Sequence, residues 1–173
     1  NKRRNTRLKV GYISADFNSH SVGYFFEPLL KSHDKGSIEI YCYYNNARAD
    51  DTTKRLMEES EHWRSIVGMN DKDVVNLIRK DSIDILVDLV GHTANNRLTV
   101  FTYKPAPIQV TWLGYPNTTG LSAIDYRFTD DVVDPIGRTD DLHSEKLIRL
   151  QNGFLCYQGD KLLPPNSALP CLK

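Results

Sequence analysis

The sequence has no long apolar run, little cysteine and no excess of charge of either sign. No apolar stretch approaches the roughly 20 residues that a membrane-spanning helix needs, and the chain does not begin with a signal peptide. The 22 basic and 22 acidic residues cancel, so no broad basic field is available for nucleic acid or an anionic membrane. We therefore expect a protein that binds neither.

Cysteine and glycine patterns exclude several further classes of site. Cys42, Cys156 and Cys171 are odd in number and widely spaced, which fits neither a disulfide framework nor a zinc site. We expect reduced thiols in a cytoplasmic protein, and no bound metal. The sequence contains no GxGxxG, no phosphate-binding P-loop and no Gly-x-Ser-x-Gly motif, which weakens a dinucleotide-binding, NTPase or α/β-hydrolase interpretation.

What is present is an alternation of strand and helix patterns over a length typical of one domain. The strands are predicted at residues 8–14, 38–44, 62–67, 83–90, 108–114, 125–130 and 146–150. The helices are predicted at residues 22–33, from Asp50 or Asp51 to about 60, from 70 onward, and at about 95–102. Ser19 or Ser21 is placed to cap the first helix, and Pro28 predicts a kink or an early end. The alternation predicts an α/β fold with a Rossmann-like, doubly wound sheet.

Three predicted strands end in polar loops. We call residues 16–20 the first loop, residues 88–97 the second loop and residues 113–120 the third loop. Ligands of open α/β sheets bind outside the carboxyl ends of the strands. The sequence therefore predicts a site formed by these loops.

The first loop carries Asp16 and His20 at the start of the first helix. An imidazole there can donate to an anion or accept a hydroxyl proton, and the helix dipole favours its neutral form. The alternative is structural: His20 caps the helix or bonds to Asp16.

The second loop carries Asp88, Gly91, His92, Thr93 and Arg97. A carboxylate at the end of a buried strand needs partners, so we expect Asp88 to bond to loop N–H groups or to Arg97. His92 and Thr93 then face the same cleft as His20 if the two strands are neighbours. A rigid turn braced by Asp88 is the structural alternative.

The third loop has no strong acid or base. Its backbone N–H groups, hydroxyls and Tyr115 ring suit the binding of a sugar or peptide. It can equally be a structural Ω-loop.

Long ordered motifs in these loops resemble a known family. Asp16-Phe-x-x-His20, residues 91–98 and residues 105–120 resemble the amino-terminal catalytic lobe of the protein O-GlcNAc transferase and SPINDLY-type glycosyltransferases. Residues 124–130, 144–147 and 153–157 extend the resemblance over most of the chain.

The resemblance implies the amino-terminal lobe of a GT-B enzyme, preceded by tetratricopeptide repeats. Such an enzyme moves a sugar from a nucleotide to Ser or Thr of a protein acceptor, inverts the anomeric carbon and needs no metal or other cofactor. Residues 1–7 become a linker, residues 8–157 the lobe, and residues 158–173 a linker toward a missing second lobe. That missing lobe binds most of the nucleotide sugar, so the chain alone is expected to be inactive.

Residue roles follow from the same resemblance. His20 matches the histidine once proposed as general base, and Asp16 the acidic residue beside it. His92 lies where the family has a Tyr or His that lines the donor side of the cleft, and Thr93 beside it is expected to bind substrate. Leu113 and Gly114 match family positions near the sugar, and we expect Tyr115 and Pro116, which follow them, to bind substrate too.

Two departures from the animal O-GlcNAc transferases leave the donor open. Ser21 and Val22 follow His20 where that branch has Pro-Thr, and His92 stands where it has Tyr. Both features are closer to SPINDLY-like and bacterial members, so UDP-GlcNAc and GDP-fucose are both candidate donors. A non-catalytic flavodoxin-like module that binds a ligand or a protein, and a lobe of an Asn-directed glycosyltransferase, remain alternatives.

Overall fold

The computed structural model describes residues 7–159 of the chain. Seven strands form one sheet in which every pair of neighbours is parallel, in the order β3-β2-β1-β4-β5-β6-β7. The strands are β1 (Leu8–Ser14), β2 (Ile38–Tyr44), β3 (His62–Ser65), β4 (Ile85–Asp88), β5 (Ile108–Thr111), β6 (Tyr126–Thr129) and β7 (Lys146–Arg149). The helices are α1 (Ser21–Ser32), α2 (Asp51–Glu59), α3 (Asp71–Asp81) and α4 (Leu98–Thr102), with a 3-10 helix at Asp140–Leu142. The predicted α/β, doubly wound Rossmann-like fold is confirmed.

Helices cover both faces of the sheet because the central strands are apolar on both sides. Along β2, Cys42 joins one buried cluster and Tyr43 the other. The first cluster takes in α1 and α2, with members such as Phe26 and Leu56. The second takes in α3 and α4, with members such as Ile78. A strand buried on both faces loses the alternation of an amphipathic strand, which is why these strands read as near-continuous apolar runs.

The order of the strands creates a switch point between β1 and β4. From β1 the chain moves outward to β2 and β3, then returns to β4 and moves the other way to β7. Connections leave the carboxyl ends of β1 and β4 in opposite directions, and a crevice opens between them.

Several predicted boundaries were wrong by a few residues. The strands β3, β4 and β5 are shorter than predicted, because the apolar residues that follow them, such as Ile66, Leu89 and Trp112, are buried in the core beyond the end of each strand. Helix α4 begins at Leu98, because the Arg97 side chain is bonded to Asp71 and Asn45. Helix α1 runs through Pro28 to Ser32 with no early end, and the Ser32 hydroxyl donates to the Pro28 carbonyl at 2.7 Å. The 3-10 helix was not predicted.

Two predictions concern the chain ends and the cysteines. Residues 1–6 and 160–173, including Cys171, lie outside the described residues. Arg7, assigned to the first linker, ion-pairs with Glu61 at 2.6 Å. Within the described residues, Cys42 is buried, Cys156 is exposed, and both are free thiols. No helix between residues 7 and 159 combines the length and apolar character that a membrane crossing requires.

Truncating Phe26 should destabilise the fold strongly. Its ring is fully buried and stacks on Phe17 with centroids 5.0 Å apart. We expect Phe26→Ala to lower the free energy of unfolding by about 3–5 kcal/mol, since a cavity replaces the ring. Met57→Ala, at a side chain 47% exposed on α2, is the control and should change it by less than about 1 kcal/mol. Equal losses in urea unfolding would contradict this assignment of the core.

Candidate functional site

The three loops leave the same edge of the sheet from adjacent strands. Ile13 of β1 pairs with Asp88 of β4, and Asp88 pairs with Thr111 of β5. The condition under which the first and second loops can share a cleft is therefore met, because β1 and β4 are neighbours at the switch point.

His20 is the N-cap of α1. Its Nδ1 accepts a hydrogen bond from the backbone N–H of Val22 at 3.2 Å. The prediction that Ser19 or Ser21 caps the helix was wrong, because His20 occupies the N-cap position, the Ser19 hydroxyl bonds to the Tyr24 hydroxyl at 2.7 Å, and Ser21 is already the first residue of the helix. A ring nitrogen that accepts carries no proton, so a neutral His20 has its proton on Nε2. The side chain is 47% exposed, so the Nε2–H group can donate a hydrogen bond to a ligand.

Asp16 lies beside this imidazole. One carboxylate oxygen is 4.0 Å from His20 Nδ1. Burial raises the pKa of Asp16, and the nearby His20 opposes that shift. Among the described residues no N–H or O–H group donates to this carboxylate. Asp16 therefore keeps its acceptor capacity for a ligand or a proton.

Asp88 is a fully buried carboxylate at the end of β4. It accepts hydrogen bonds from the N–H groups of Val90 at 3.2 Å and Gly91 at 2.9 Å, and from the Thr111 hydroxyl at 2.9 Å. Burial raises the pKa of Asp88 to about 6, although these donors and His92 lower it in part. The expected bonds to loop N–H groups are confirmed.

The alternative partner predicted for Asp88, Arg97, was wrong. Arg97 donates to Asp71 at 2.8 Å, to the Asn45 side chain at 3.0 Å and to the Ile66 carbonyl at 3.1 Å. It ties the end of the second loop to the ends of β2 and β3 and to the start of α3. Sequence proximity suggested the wrong partner, because Arg97 forms its ion pair with Asp71, which lies 26 residues earlier at the start of α3.

The second and third loops are in close contact at two glycines. A Cβ added at Gly91, where φ is +57°, would lie 2.2 Å from Cβ of Tyr115. A Cβ added at Gly114 would lie 1.9 Å from the carbonyl oxygen of Leu89. Only glycine fits at either position, so the two loops form one continuous wall.

The turn at Leu113 begins the third loop in a strained conformation. Leu113 has a φ of +73°, and the Gly114 N–H donates to the Trp112 carbonyl at 2.9 Å. A three-residue turn with positive φ is rare, and strained backbone of this kind is concentrated at binding and catalytic sites.

His92 is held against the third loop. Its Nε2 is 2.8 Å from the Thr119 carbonyl oxygen, and its ring meets that of Tyr115 edge-on with centroids 5.2 Å apart. A carbonyl only accepts, so Nε2 carries the proton and a neutral ring leaves Nδ1 as an acceptor. The Thr93 hydroxyl is used within the second loop, where it donates to the Val90 carbonyl at 2.9 Å.

Two buried charged residues, Arg127 and Glu145, are hydrogen-bonded to the third loop. Arg127 Nη1 donates to the carbonyls of Tyr115 at 3.0 Å and Asn117 at 2.9 Å. Glu145 accepts from the Thr118 hydroxyl at 2.7 Å, from the Thr119 N–H at 2.8 Å and from the Thr119 hydroxyl. The expectation that the hydroxyls and N–H groups of this loop bind a sugar is therefore corrected at both threonines. What this loop presents is shape and the Tyr115 ring.

Sequence reasoning missed Arg127 and Glu145 as parts of the site. A signal was available, since a charged residue in a predicted strand or beside one requires a buried partner. The identity of that partner, a loop ten or more residues away in sequence, could not be read from periodicity.

The structure brings some predicted site residues together and leaves others apart. His92, Gly114 and Tyr115 form one contact group, and His20 and Asp16 form another. Within residues 7–159 no hydrogen bond or ion pair joins His20 to His92. Pro116 is exposed at the rim of the third loop. No cluster of three or more His, Cys, Asp or Glu side chains in this part of the chain is arranged to hold a metal ion.

Comparison with known proteins matches this geometry to one family. The model of a family described as glycosyl transferase family 41 matches residues 1–165. The chain is 44% identical over 170 residues to a probable UDP-N-acetylglucosamine–peptide N-acetylglucosaminyltransferase SPINDLY of Petunia hybrida, covering 96% of this chain and 18% of that protein. It is 38% identical over 152 residues to the UDP-N-acetylglucosamine–peptide N-acetylglucosaminyltransferase of Caenorhabditis elegans, covering 86% and 13%.

A solved structure agrees with these matches. A mutant O-GlcNAc transferase of Thermobaculum terrenum superposes with a TM-score of 0.85 at 44% identity, covering 87% of this chain and 29% of that one. The chain thus spans less than a third of the length of each of these similar proteins.

The buried Asp88 should leave a pH signature on stability. Its native pKa of about 6 exceeds the ordinary 3.8, so the folded state binds the proton more tightly between these values. The contribution of Asp88 is then largest at low pH and falls by about 3 kcal/mol as pH rises through 6. Relative to Asp88→Asn, which cannot titrate, the wild type should lose stability in urea unfolding between about pH 4 and 7.

Asp51→Asn is the control for that comparison. Asp51 is 87% exposed, so its difference from wild type should stay small over the same range. A wild-type advantage over Asp88→Asn that grows with rising pH would contradict the assignment.

Proposed function

The chain belongs to glycosyl transferase family 41, and we propose that it is the amino-terminal half of the catalytic domain of an inverting protein O-glycosyltransferase. The reaction is transfer of a sugar from a nucleotide donor to Ser or Thr of a protein acceptor, without a metal. The observation that carries the proposal is that the wall of Gly91, His92, Gly114 and Tyr115 and the pair His20 and Asp16 lie on loops that leave the same edge of the sheet from adjacent strands at the switch point.

The domain arrangement is part of the proposal. Residues 8–157 are one lobe of a two-lobed enzyme, and the flanking residues 1–7 and 158–173 connect it to tetratricopeptide repeats upstream and to a second lobe downstream. That second lobe holds most of the nucleotide. The partial coverage of the similar proteins supports a longer parent chain. The free thiols of Cys42 and Cys156 suit a cytoplasmic location.

Catalytic roles are assigned to His20 and Asp16. The cap bond to Val22 occupies Nδ1, so His20 presents Nε2–H as a donor to an oxygen of the donor or the acceptor. Asp16 has an unoccupied carboxylate and a pKa raised by burial, which suits a group that accepts a proton. The two side chains are close enough for the charge on one to bias the other.

The remaining predicted residues form the wall that contacts the sugar. His92 offers Nδ1 as an acceptor, and Tyr115 offers the face of its ring. Leu113 and Gly114 form a turn in which Gly114, having no side chain, can lie against the Leu89 carbonyl of the second loop. Thr93 and Pro116 lie exposed at the rim.

The donor is UDP-GlcNAc or GDP-fucose. The names of the similar proteins favour UDP-GlcNAc. The histidine at position 92 is the SPINDLY-like feature that keeps GDP-fucose as a candidate.

Replacing His20 in the full-length protein should separate capping from catalysis. Asparagine is a good N-cap but has no imidazole, so His20→Asn should fold normally while its rate of transfer falls by about 100-fold or more. We expect the same fall in the rate of transfer for His20→Ala. Transfer is followed by mass spectrometry of labelled protein, with UDP-GlcNAc and GDP-fucose supplied separately.

His62→Asn is the matched control, because His62 begins β3 at the opposite edge of the sheet. It should leave transfer unchanged. Wild-type rates in His20→Asn would remove His20 from the mechanism, and no transfer by wild type from either donor would contradict the proposed function.

A further inference from the structure

Thr119 is held on two sides by residues from different parts of the chain. Its N–H and hydroxyl donate to Glu145, which immediately precedes β7. Its carbonyl accepts the bond from His92 Nε2 in the second loop. Thr119 therefore links a buried carboxylate to an exposed imidazole.

Glu145 has no freedom to move away from this arrangement. The residue is only 3% exposed. Burial raises the pKa of Glu145, but the hydrogen bonds from Thr119 and Thr118 outweigh it, and the net pKa lies below its ordinary value. The group is thus a carboxylate at neutral pH, and it accepts without donating.

The fixed carbonyl of Thr119 selects one form of His92. Because that oxygen accepts only, the ring proton must sit on Nε2. In the neutral ring, the opposite nitrogen, Nδ1, then keeps its lone pair. If Thr119 shifts, the ring loses its orienting bond and both the tautomer and the ring angle become free.

Arg127 secures the other half of the third loop. It binds the carbonyls of Tyr115 and Asn117, whereas Glu145 binds donor groups of Thr118 and Thr119. Burial lowers the pKa of Arg127, while the negative charges of Asp134 and Glu145 raise it. The cation and the anion thus fix opposite ends of the loop and stabilise each other.

We propose that Glu145 is a positioning residue for sugar transfer: through Thr119 it holds His92 with Nδ1 as an acceptor facing the cleft. The inference rests on the proposed function, and it adds a residue that touches no substrate. Arg127 supplies the compensating charge.

The first test is a double-mutant cycle in the full-length protein. Glu145→Met keeps the length of the side chain but has no acceptor, and should lower kcat/KM by about tenfold or more. His92→Phe keeps a ring against Tyr115 but has no nitrogen. In that background Glu145→Met should cost no more than roughly twofold, because the residue it acts through is already gone. Equal losses in both backgrounds would overturn the proposal.

Two variants complete the cycle. Glu145→Gln can keep an oxygen toward the Thr119 N–H and hydroxyl, so it should retain most of the transfer rate. Asp81→Asn, which loses a half-buried carboxylate bonded to Tyr43 and Arg64 away from the loops, controls for a general loss of stability and should leave kcat/KM unchanged. If Glu145→Met does not fold, Thr119→Val replaces it in the cycle. This change removes the hydroxyl bonds to Glu145 and to the Leu121 N–H but keeps the bond from the Thr119 N–H to Glu145.

The second test does not depend on activity. Diethyl pyrocarbonate modifies unprotonated ring nitrogens, and peptide mapping reports the rate at each histidine of the full-length protein. Labelling of His92 should rise several-fold in Glu145→Met and stay at the wild-type rate in Asp81→Asn. Unchanged labelling of His92 would overturn the positioning role, whether or not the protein transfers sugar. If wild type transfers no sugar from either donor, the proposed function fails and the labelling result alone decides the role of Glu145.

Discussion

The candidate site depends on one buried carboxylate. Asp88 is enclosed at the end of β4, and its oxygens bind the Thr111 hydroxyl on β5 and the N–H groups of Val90 and Gly91. Those bonds fix the path of the second loop as it leaves the sheet. Gly91 then lies directly against Tyr115, so the second loop can take its position only where the third loop also fits. A single desolvated charge thus sets the geometry of two site loops.

The third loop differs from the pair Asp16 and His20 in how far its polar atoms are already hydrogen-bonded within the protein. Polar atoms of the third loop are largely consumed by Arg127 and Glu145, which makes the loop rigid and leaves it little capacity to move protons. Asp16 has the opposite character, because its carboxylate keeps open acceptor positions beside His20. Transfer of a sugar needs both a fixed surface and an unsatisfied acceptor. The fold provides them from neighbouring strands, and in the proposed enzyme the second lobe supplies the nucleotide site.

The sequence predicted the features that depend on neighbouring residues, namely the strands, the helices and their alternation. The apolar run before Asp88 and the β-branched and aromatic run at Ile38–Tyr44 indicated strands, and their alternation with helical spacing indicated the doubly wound sheet. The cap of α1 could not be ranked among Ser19, His20 and Ser21, since all three residues can accept from a helix N–H. The partners of Arg97 and Glu145 were out of reach because they depend on which loops meet across the sheet. The long ordered motifs indicated the family, which periodicity alone does not do.

The most direct measurement is the structure of the full-length protein with a nucleotide sugar and an acceptor peptide bound. We expect the sugar to lie against Gly114 and Tyr115, with His92 Nδ1 and His20 Nε2 within hydrogen-bond distance of donor or acceptor oxygens. A sugar bound away from the carboxyl edge of β1 and β4, with this edge in contact with solvent alone, would contradict it.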